Sequence, residues 1–281
     1  MSIQLDEGAV KSRSSTGPNL YYTSAMPEKD VKAVLGMIHG YADYGARYAH
    51  VMGALAEHGI GTVTIDLRGH GRAGGSRGYC NRFGEFLDDA KELRKLVEDK
   101  GKDAPKLLFG HSFGGLVATS SVLDDAWKWK GLVLSGPFFG LALEVPKVKV
   151  VAGKIASRVY PKLGLPTGLH GKDLTHDAER AAAYDADPLV FKAATARWFT
   201  ETTKEQVRVL ERARSLSLPV YLTFGKEDPV ASLGAAKKVF DAMGSKDKTW
   251  DPKDGLLHEV LNEPSWKELA DTIAKWILAH V

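Results

Sequence analysis

Short unbroken apolar runs alternate along this chain with longer stretches in which apolar side chains recur every three or four positions. The runs at 33–38, 62–66, 107–110, 131–135 and 220–224 carry almost no charge, the pattern of strands buried on both faces rather than one. Residues 83–99 place Phe86, Ala90, Leu93 and Val97 along one side of a helix with charged residues opposite, and 265–279 repeat this with Leu269, Ile273, Trp276 and Ile277. Strand-like runs alternating with helical ones predict an α/β domain built on a mostly parallel sheet covered on both faces. The first stretch, to about Pro27, reads as an antiparallel entry hairpin turning around Ser14-Ser15-Thr16-Gly17. No internal repeat or low-complexity tract interrupts the series.

The alternation fails between Ser135-Gly136-Pro137 and the run that starts at Pro219, an interval too long for one crossover helix. It predicts a helical cap, residues 137–205, inserted into a core made of 1–136 and 206–281. The first part of the interval is apolar at partly helical spacing, with Phe138, Phe139, Val148, Val151, Ile155 and Val159, and it is flanked by Lys147, Lys149, Lys154, Arg158 and Lys162. That combination fits an amphipathic helix packed on the core, and it also fits transient contact with a lipid interface. Near the exit, Asp187-Pro188 reads as an N-cap followed by Pro at the first helical position, opening a return helix toward Arg197-Trp198-Phe199.

The chemistry enters at Gly110-His111-Ser112-Phe113-Gly114. This GxSxG sequence follows the run Lys106-Leu107-Leu108-Phe109 and leads into Leu116-Val117-Ala118, the context of a nucleophile elbow. There a serine sits on a sharp strand-to-helix turn, and flanking glycines avoid collision with neighbouring backbone. A second match, Gly74-Gly75-Ser76-Arg77-Gly78, has no strand before it and reads as a loop. In the elbow architecture the acid and then the base follow the serine in the chain. Of the later histidines, His280 lies at a chain end expected to fray, whereas His258 stands in the loop Asp254-Gly255-Leu256-Leu257-His258-Glu259 and is the favoured base. The run 219–224 leads directly into Gly225-Lys226-Glu227-Asp228-Pro229. This puts Asp228 at a strand's carboxyl end, with Glu227 as the local rival. Such a set lets His take the serine proton during attack on an ester carbonyl and return it to the leaving alcohol, while Asp fixes the imidazole. The Phe113 N–H would meet the charge that develops on the carbonyl oxygen.

His39-Gly40-Tyr41, Asp66-Leu67-Arg68-Gly69-His70-Gly71-Arg72, Gly110-His111-Ser112-Phe113-Gly114-Gly115, Gly225-x-x-Asp228 and His258 occur in that order over almost the whole chain. With them the chain resembles the α/β-hydrolases, and within these the monoacylglycerol lipase and lysophospholipase group, some of whose members are described as serine aminopeptidase-like. Ala73 stands where such proteins often carry serine. The resemblance implies the α/β-hydrolase fold, hydrolysis of acyl esters or monoacylglycerol-like lipids through an acyl-enzyme, no cofactor, and a second oxyanion donor at the Tyr41 N–H. His39 then braces the loop. Phe138, Val148, Val151, Ile155, Val230 and Leu257 are the expected lining of an acyl groove. A peptidase of the serine aminopeptidase type, needing an acidic or polar pocket for an α-amino group, is the alternative enzyme. A ligand-binding protein retaining the fold is the non-catalytic one.

Composition narrows the field. At 281 residues the chain can bury a substantial core, and its net charge of +3 without a run of five basic residues gives no nucleic-acid signature. The single cysteine, Cys80, has no internal disulfide partner, no Cys/His cluster has zinc-like spacing, and a free thiol suits the cytosol. The first ten residues contain Asp6 and Glu7 and lack the charge-then-apolar order of a signal peptide. Residues 131–143 are uncharged but too short for a membrane span. These features predict a cytoplasmic enzyme without transmembrane segment, metal or nucleic-acid partner.

Overall fold

A computed structural model describes residues 5–11, 17–143 and 147–281, without the side chains of 147–150. The turn expected at 14–17 therefore lies largely outside the described residues, but its two strands, β1 (Leu5–Val10) and β2 (Leu20–Ala25), pair antiparallel as a hairpin requires. Next come β3 (Ala33–Ile38), α1 (Ala49–Glu57), β4 (Ile60–Asp66), α2 (Gly84–Gly101), β5 (Lys106–His111), α3 (Phe113–Asp124) and β6 (Trp129–Ser135). The interval expected to break the alternation holds α4 (Lys147–Val159), β7 (Gly164–Pro166), α5 (Ala178–Ala186), β8 (Ala193–Thr195) and the start of α6 (Ala196–Arg212). The chain closes with β9 (Val220–Gly225), α7 (Leu233–Ala242), β10 (Lys248–Lys253) and α8 (Trp266–Ala279).

Eight strands form one sheet in the order β1-β2-β4-β3-β5-β6-β9-β10, antiparallel only where β2 meets β1 and β4. Strand side chains alternate between two cores. Val34 and Ile38 pack with Phe86, Leu93 and Leu116 of α2 and α3, while Leu35 and Met37 pack with Met52, Leu55, Leu269 and Ile273 of α1 and α8. Burial on both faces is why these strands read as continuous apolar runs. The strand order turns back between β3 and β5, so the loops after these two strands flank a crevice at the carboxyl edge, the position at which open α/β sheets bind ligands.

Two expectations for the interval need correction. The return helix begins at Ala196, with the Thr195 hydroxyl accepting from the Trp198 N–H at 3.3 Å. Asp187 instead ends α5: its Oδ1 accepts from the Leu189 N–H at 2.8 Å and its Oδ2 from the Tyr44 hydroxyl at 2.6 Å. A residue before proline is held extended, and here the Asp side chain makes a turn rather than a helix start. Helix α4 also turns the opposite way from a core-facing stripe. Val151, Ile155 and Val159 are 56%, 60% and 61% exposed. The packed side carries Ala156 and buried Ser157, small residues that bring α4 against α6, where the Arg197 guanidinium donates twice to the Ser157 carbonyl. Among the described residues no helix is long and apolar enough to cross a membrane.

Candidate active site

Ser112 sits between β5 and α3 with φ +52° and ψ −120°. A non-glycine residue is found there only when its surroundings enforce it, at a cost of about 1–3 kcal/mol. The surroundings are two glycines that admit no side chain: a Cβ on Gly110 would lie 2.4 Å from the Gly114 carbonyl oxygen, and one on Gly114 2.2 Å from the Ile38 carbonyl oxygen. Ser112 is further fixed by its N–H donating to the Ser135 carbonyl and by its own carbonyl accepting from the Phe138 N–H, each at 2.9 Å. The hydroxyl is thereby presented above the strand edge. The other GxSxG serine, Ser76, lies exposed in an irregular loop.

Three chain segments converge on that hydroxyl. His258, in the loop after β10, takes the Ser112 hydroxyl hydrogen bond on Nε2 at 2.8 Å and places Nδ1 2.7 Å from Asp228 Oδ2. With a carboxylate as partner, Nδ1 carries the hydrogen and Nε2 is left free to accept. Asp228 follows β9, and its Oδ1 accepts from the N–H groups of Val230 and Ala231 at 2.7 and 2.9 Å, which aims the other oxygen at His258. Glu227, the rival acid, is exposed. Burial alone would push the His258 pKa down; the charge of Asp228 and its hydrogen bond, with Glu259 and Asp43 beyond, outweigh burial and raise it above the ordinary imidazole value. His111 lies 5.0 Å from His258, ring to ring, and burial together with repulsion from His258 lowers it to about 4. His280 is not frayed, contrary to expectation. It stacks on Trp276 and bonds the Trp276 carbonyl and Asp247, at the amino end of β10 and so at the far edge of the sheet.

The loop after β3 closes the other side. Gly40 lies so near that a Cβ there would be 3.4 Å from Ser112 Cβ. His39 braces this loop, its Nε2 accepting from the Leu67 N–H at 2.9 Å and its Nδ1 bonding the Gly40 carbonyl at 2.7 Å. The Phe113 N–H is the first of α3, at the positive end of the helix. The acidic and basic residues of the 66–72 stretch serve the scaffold: Asp66 accepts from the Gly45 and Arg72 N–H groups, and Arg68 pairs with buried Asp89.

A cavity of about 300 Å³ opens over Ser112 and His258, walled largely by apolar side chains. Of the residues expected to line it, Phe138 and Val230 do. Val151 and Ile155 do not, being on the outer side of α4, and Leu257 is drawn off by its N–H bond to Glu263. The side chain of Val148 lies outside the described residues. Leu141, Leu143, Leu169, Trp198 and Phe199 supply walls that the sequence pattern had not singled out. Neither had it singled out the polar lining residues Asp43 and Glu259, which Arg47 bridges from behind at 2.8 and 2.9 Å while lying over the Tyr184 ring. Burial opposes ionisation of Asp43, but Arg47 prevails and holds it down at about 2; the same guanidinium lowers Glu259. Among the described residues no cluster of His, Cys, Asp or Glu is arranged to hold a metal ion. The arrangement can therefore deprotonate a serine, carry the resulting charge on an imidazolium, and hold an apolar chain beside it.

Comparison with known proteins identifies the family and the fold. The family model described as serine aminopeptidase, S33, matches residues 29–265. The monoacylglycerol lipase of Mycolicibacterium smegmatis is 30% identical over 270 residues, 94% of this chain and 95% of the relative. Phospholipase YtpA of Bacillus subtilis is 29% identical over 239 residues, 84% and 92% of the two chains. The crystal structure of Paleococcus ferrophilus monoacylglycerol lipase superimposes with a TM-score of 0.83 at 27% identity, covering 93% of this chain and 99% of that one. A soluble variant of monoglyceride lipase from Saccharomyces cerevisiae, 20% identical, shares the fold with a TM-score of 0.86, covering 100% and 96%. The chain has the α/β-hydrolase fold and belongs to the serine aminopeptidase, S33, family.

Proposed function

We propose that the protein is a serine hydrolase of carboxylic esters, working through an acyl-enzyme, with monoacylglycerols or lysophospholipids as its lipid substrates. The observation that carries this reading is the continuous relay Asp228–His258–Ser112, whose Ser112 and His258 open onto a largely apolar cavity. Ser112 is the nucleophile, His258 the general base and then acid, and Asp228 the group that orients and charges the imidazole. The N–H groups of Tyr41 and Phe113 bind the oxyanion, Phe138 and Val230 contact the acyl chain, and residues 137–205 form a cap over the site. The names of the M. smegmatis and B. subtilis relatives support a lipid ester as substrate. The peptidase alternative needs a free carboxylate for an α-amino group. Both Asp43 and Glu259 are engaged by Arg47, which weighs against it.

Each buried methylene contributes about 0.8 kcal/mol, so kcat/KM should rise by roughly tenfold or more from acetyl to octanoyl p-nitrophenyl esters. Monolaurin should be cleaved well, triolein poorly and alanine p-nitroanilide least. Faster cleavage of the anilide than of the octanoyl ester would replace the lipase reading with the peptidase one. The exposed stripe Val151, Ile155 and Val159, near basic Lys154, Arg158 and Lys162, fits transient docking of the cap on a lipid surface. On that reading a Val151→Asp/Ile155→Asp variant loses rate on monolaurin in anionic vesicles but not on soluble esters; equal rates on vesicles would exclude it. The free, buried Cys80 fits a cytoplasmic setting.

Because His258 must be neutral to accept the serine proton, and its pKa is raised, the acid limb of the kcat/KM profile should have its midpoint above about 6.5. The same shift favours the folded state only while His258 is protonated. That contribution is complete below the unfolded value and disappears as pH rises through the folded one. A limb centred below 6 would contradict the assigned electrostatics.

A further inference from the structure

The two main-chain amides assigned to the oxyanion hole belong to Tyr41 and Phe113, and both side chains rest on a single residue of the inserted segment. The Trp198 indole stacks on the Tyr41 ring at 3.7 Å between centroids and 29° between planes, and it meets the Phe113 ring at 5.2 Å. Tyr41 and Phe113 also meet each other edge to face at 6.1 Å. Trp198 lies in the first turn of α6 and is 4% exposed.

The two amides differ in how they are held. Phe113 N–H begins a helix, whose geometry fixes its direction. Tyr41 belongs to a turn, followed by Ala42 at φ +57°, so no helical or ladder hydrogen bond orients its peptide. What anchors Tyr41 is its side chain. Besides the stack on Trp198, the ring meets Phe191 edge to face at 5.2 Å, and the hydroxyl lies 3.1 Å from the Ala193 carbonyl and 3.2 Å from that of Gly78. Phe191, Ala193 and Trp198 all lie in the inserted segment. Gly78 yields the space for the hydroxyl, since a Cβ there would lie 2.2 Å from it.

We propose that Trp198 is a positioning residue for the oxyanion hole, gripping Tyr41 against Phe113 so that the placement of the cap sets the direction of the Tyr41 amide. This rests on the esterase reading above and extends it, because it makes the cap a part of transition-state stabilisation rather than only a wall for the acyl chain. Trp198 Nε1 is buried without a hydrogen-bond partner among the described residues, so the ring surface does the positioning and Phe is the conservative replacement.

Misplacing a reacting group by about 1 Å costs on the order of 10²-fold, and loss of one oxyanion donor about 10²–10³-fold in kcat. Trp198→Ala should therefore lower kcat on p-nitrophenyl octanoate by about 10–100-fold, beyond any rise in KM from the lost cavity wall, and Trp198→Phe should restore most of it. The decisive probe is an octyl trifluoromethyl ketone. Ser112 Oγ adds to its carbonyl carbon, the hydroxyl proton passes to His258, and the former carbonyl oxygen bears the negative charge. Its affinity should fall in Trp198→Ala by at least about tenfold more than that of 1-decanol, which fills the cavity without an oxyanion and so reads the lost wall alone.

If kcat stays within about twofold, or if ketone and decanol affinities fall by the same factor, Trp198 is only a wall and the proposal fails. Should Trp198→Ala not fold, Tyr41→Phe removes the tether to Ala193 and Gly78, and is expected to lose kcat and ketone affinity together by about 3–10-fold; no loss in either overturns the proposal. Failure of the ketone to bind the unmodified protein, or full activity in Ser112→Ala, would instead remove the esterase reading on which it rests.

Discussion

Replacing Ser112 or His258 with Ala should lower kcat by about 10⁶-fold, and replacing Asp228 by about 10⁴-fold, by analogy with serine proteases in which the members of such a relay act as a unit. The geometry explains the ranking. Without Ser112 no acyl-enzyme forms, and without His258 the hydroxyl 2.8 Å from Nε2 has no acceptor for its proton. Without Asp228 the imidazole remains in place but loses the partner that selects its tautomer and stabilises its charge. Initial rates on p-nitrophenyl butyrate, with phosphonate labelling to count active sites, measure all three. Ser76→Ala, in the exposed loop, should be nearly silent. More than about a tenth of the activity surviving in Ser112→Ala would end the assignment.

Arg47→Leu should destabilise the protein by about 3–5 kcal/mol, the usual consequence of removing one partner from a buried ionic network. Asp43 and Glu259 have side chains only 4% and 5% exposed, so the substitution leaves two carboxylates close together with no cation between them. The pH dependence identifies the cause. In the intact protein both carboxyls are held below their ordinary range; their contribution to stability is present above the unfolded pKa and lost as pH falls through the folded values. In the variant at least one is pushed up instead, so the deficit should be large at pH 8 and shrink toward pH 5 as it binds a proton. Urea midpoints at the two pH values measure this. A deficit independent of pH would mean that lost packing against Tyr184, not uncompensated charge, dominates.

What the sequence made legible follows from where the physics is local. Strands buried on both faces appear as charge-free runs, and the elbow is signalled by glycines whose absent Cβ atoms leave room for Ile38 and Gly114 backbone. Asp228 and His258 each follow a strand within one loop. Other features depended on distant partners. The spacing of Val151, Ile155 and Val159 defines a stripe without saying which side of α4 packs; Ala156 and Ser157 decide that by allowing close approach to α6. Asp187-Pro188 and Thr195 both carry cap chemistry, and only the Thr195 side chain meets the free N–H of a helix. Asp43, Arg47 and Glu259 look like solvated charges in a one-dimensional reading, because Arg47 and Glu259 are 212 residues apart. Trp198, likewise remote from Tyr41 in the chain, gives no local signal of its position.

The separation of the site residues has a consequence for how the molecule acquires activity. Ser112 and His258 are 146 residues apart, and His258 arrives on the loop that follows the edge strand β10, after the interval holding α4 and α5 and after β9 and Asp228. Loop closure over such distances must precede the contacts that repay it, and non-local pairings of this kind form late and slowly. During refolding from denaturant, helical signal should thus recover well before esterase turnover, and a nascent chain that has already buried its elbow remains inert until its last strand docks.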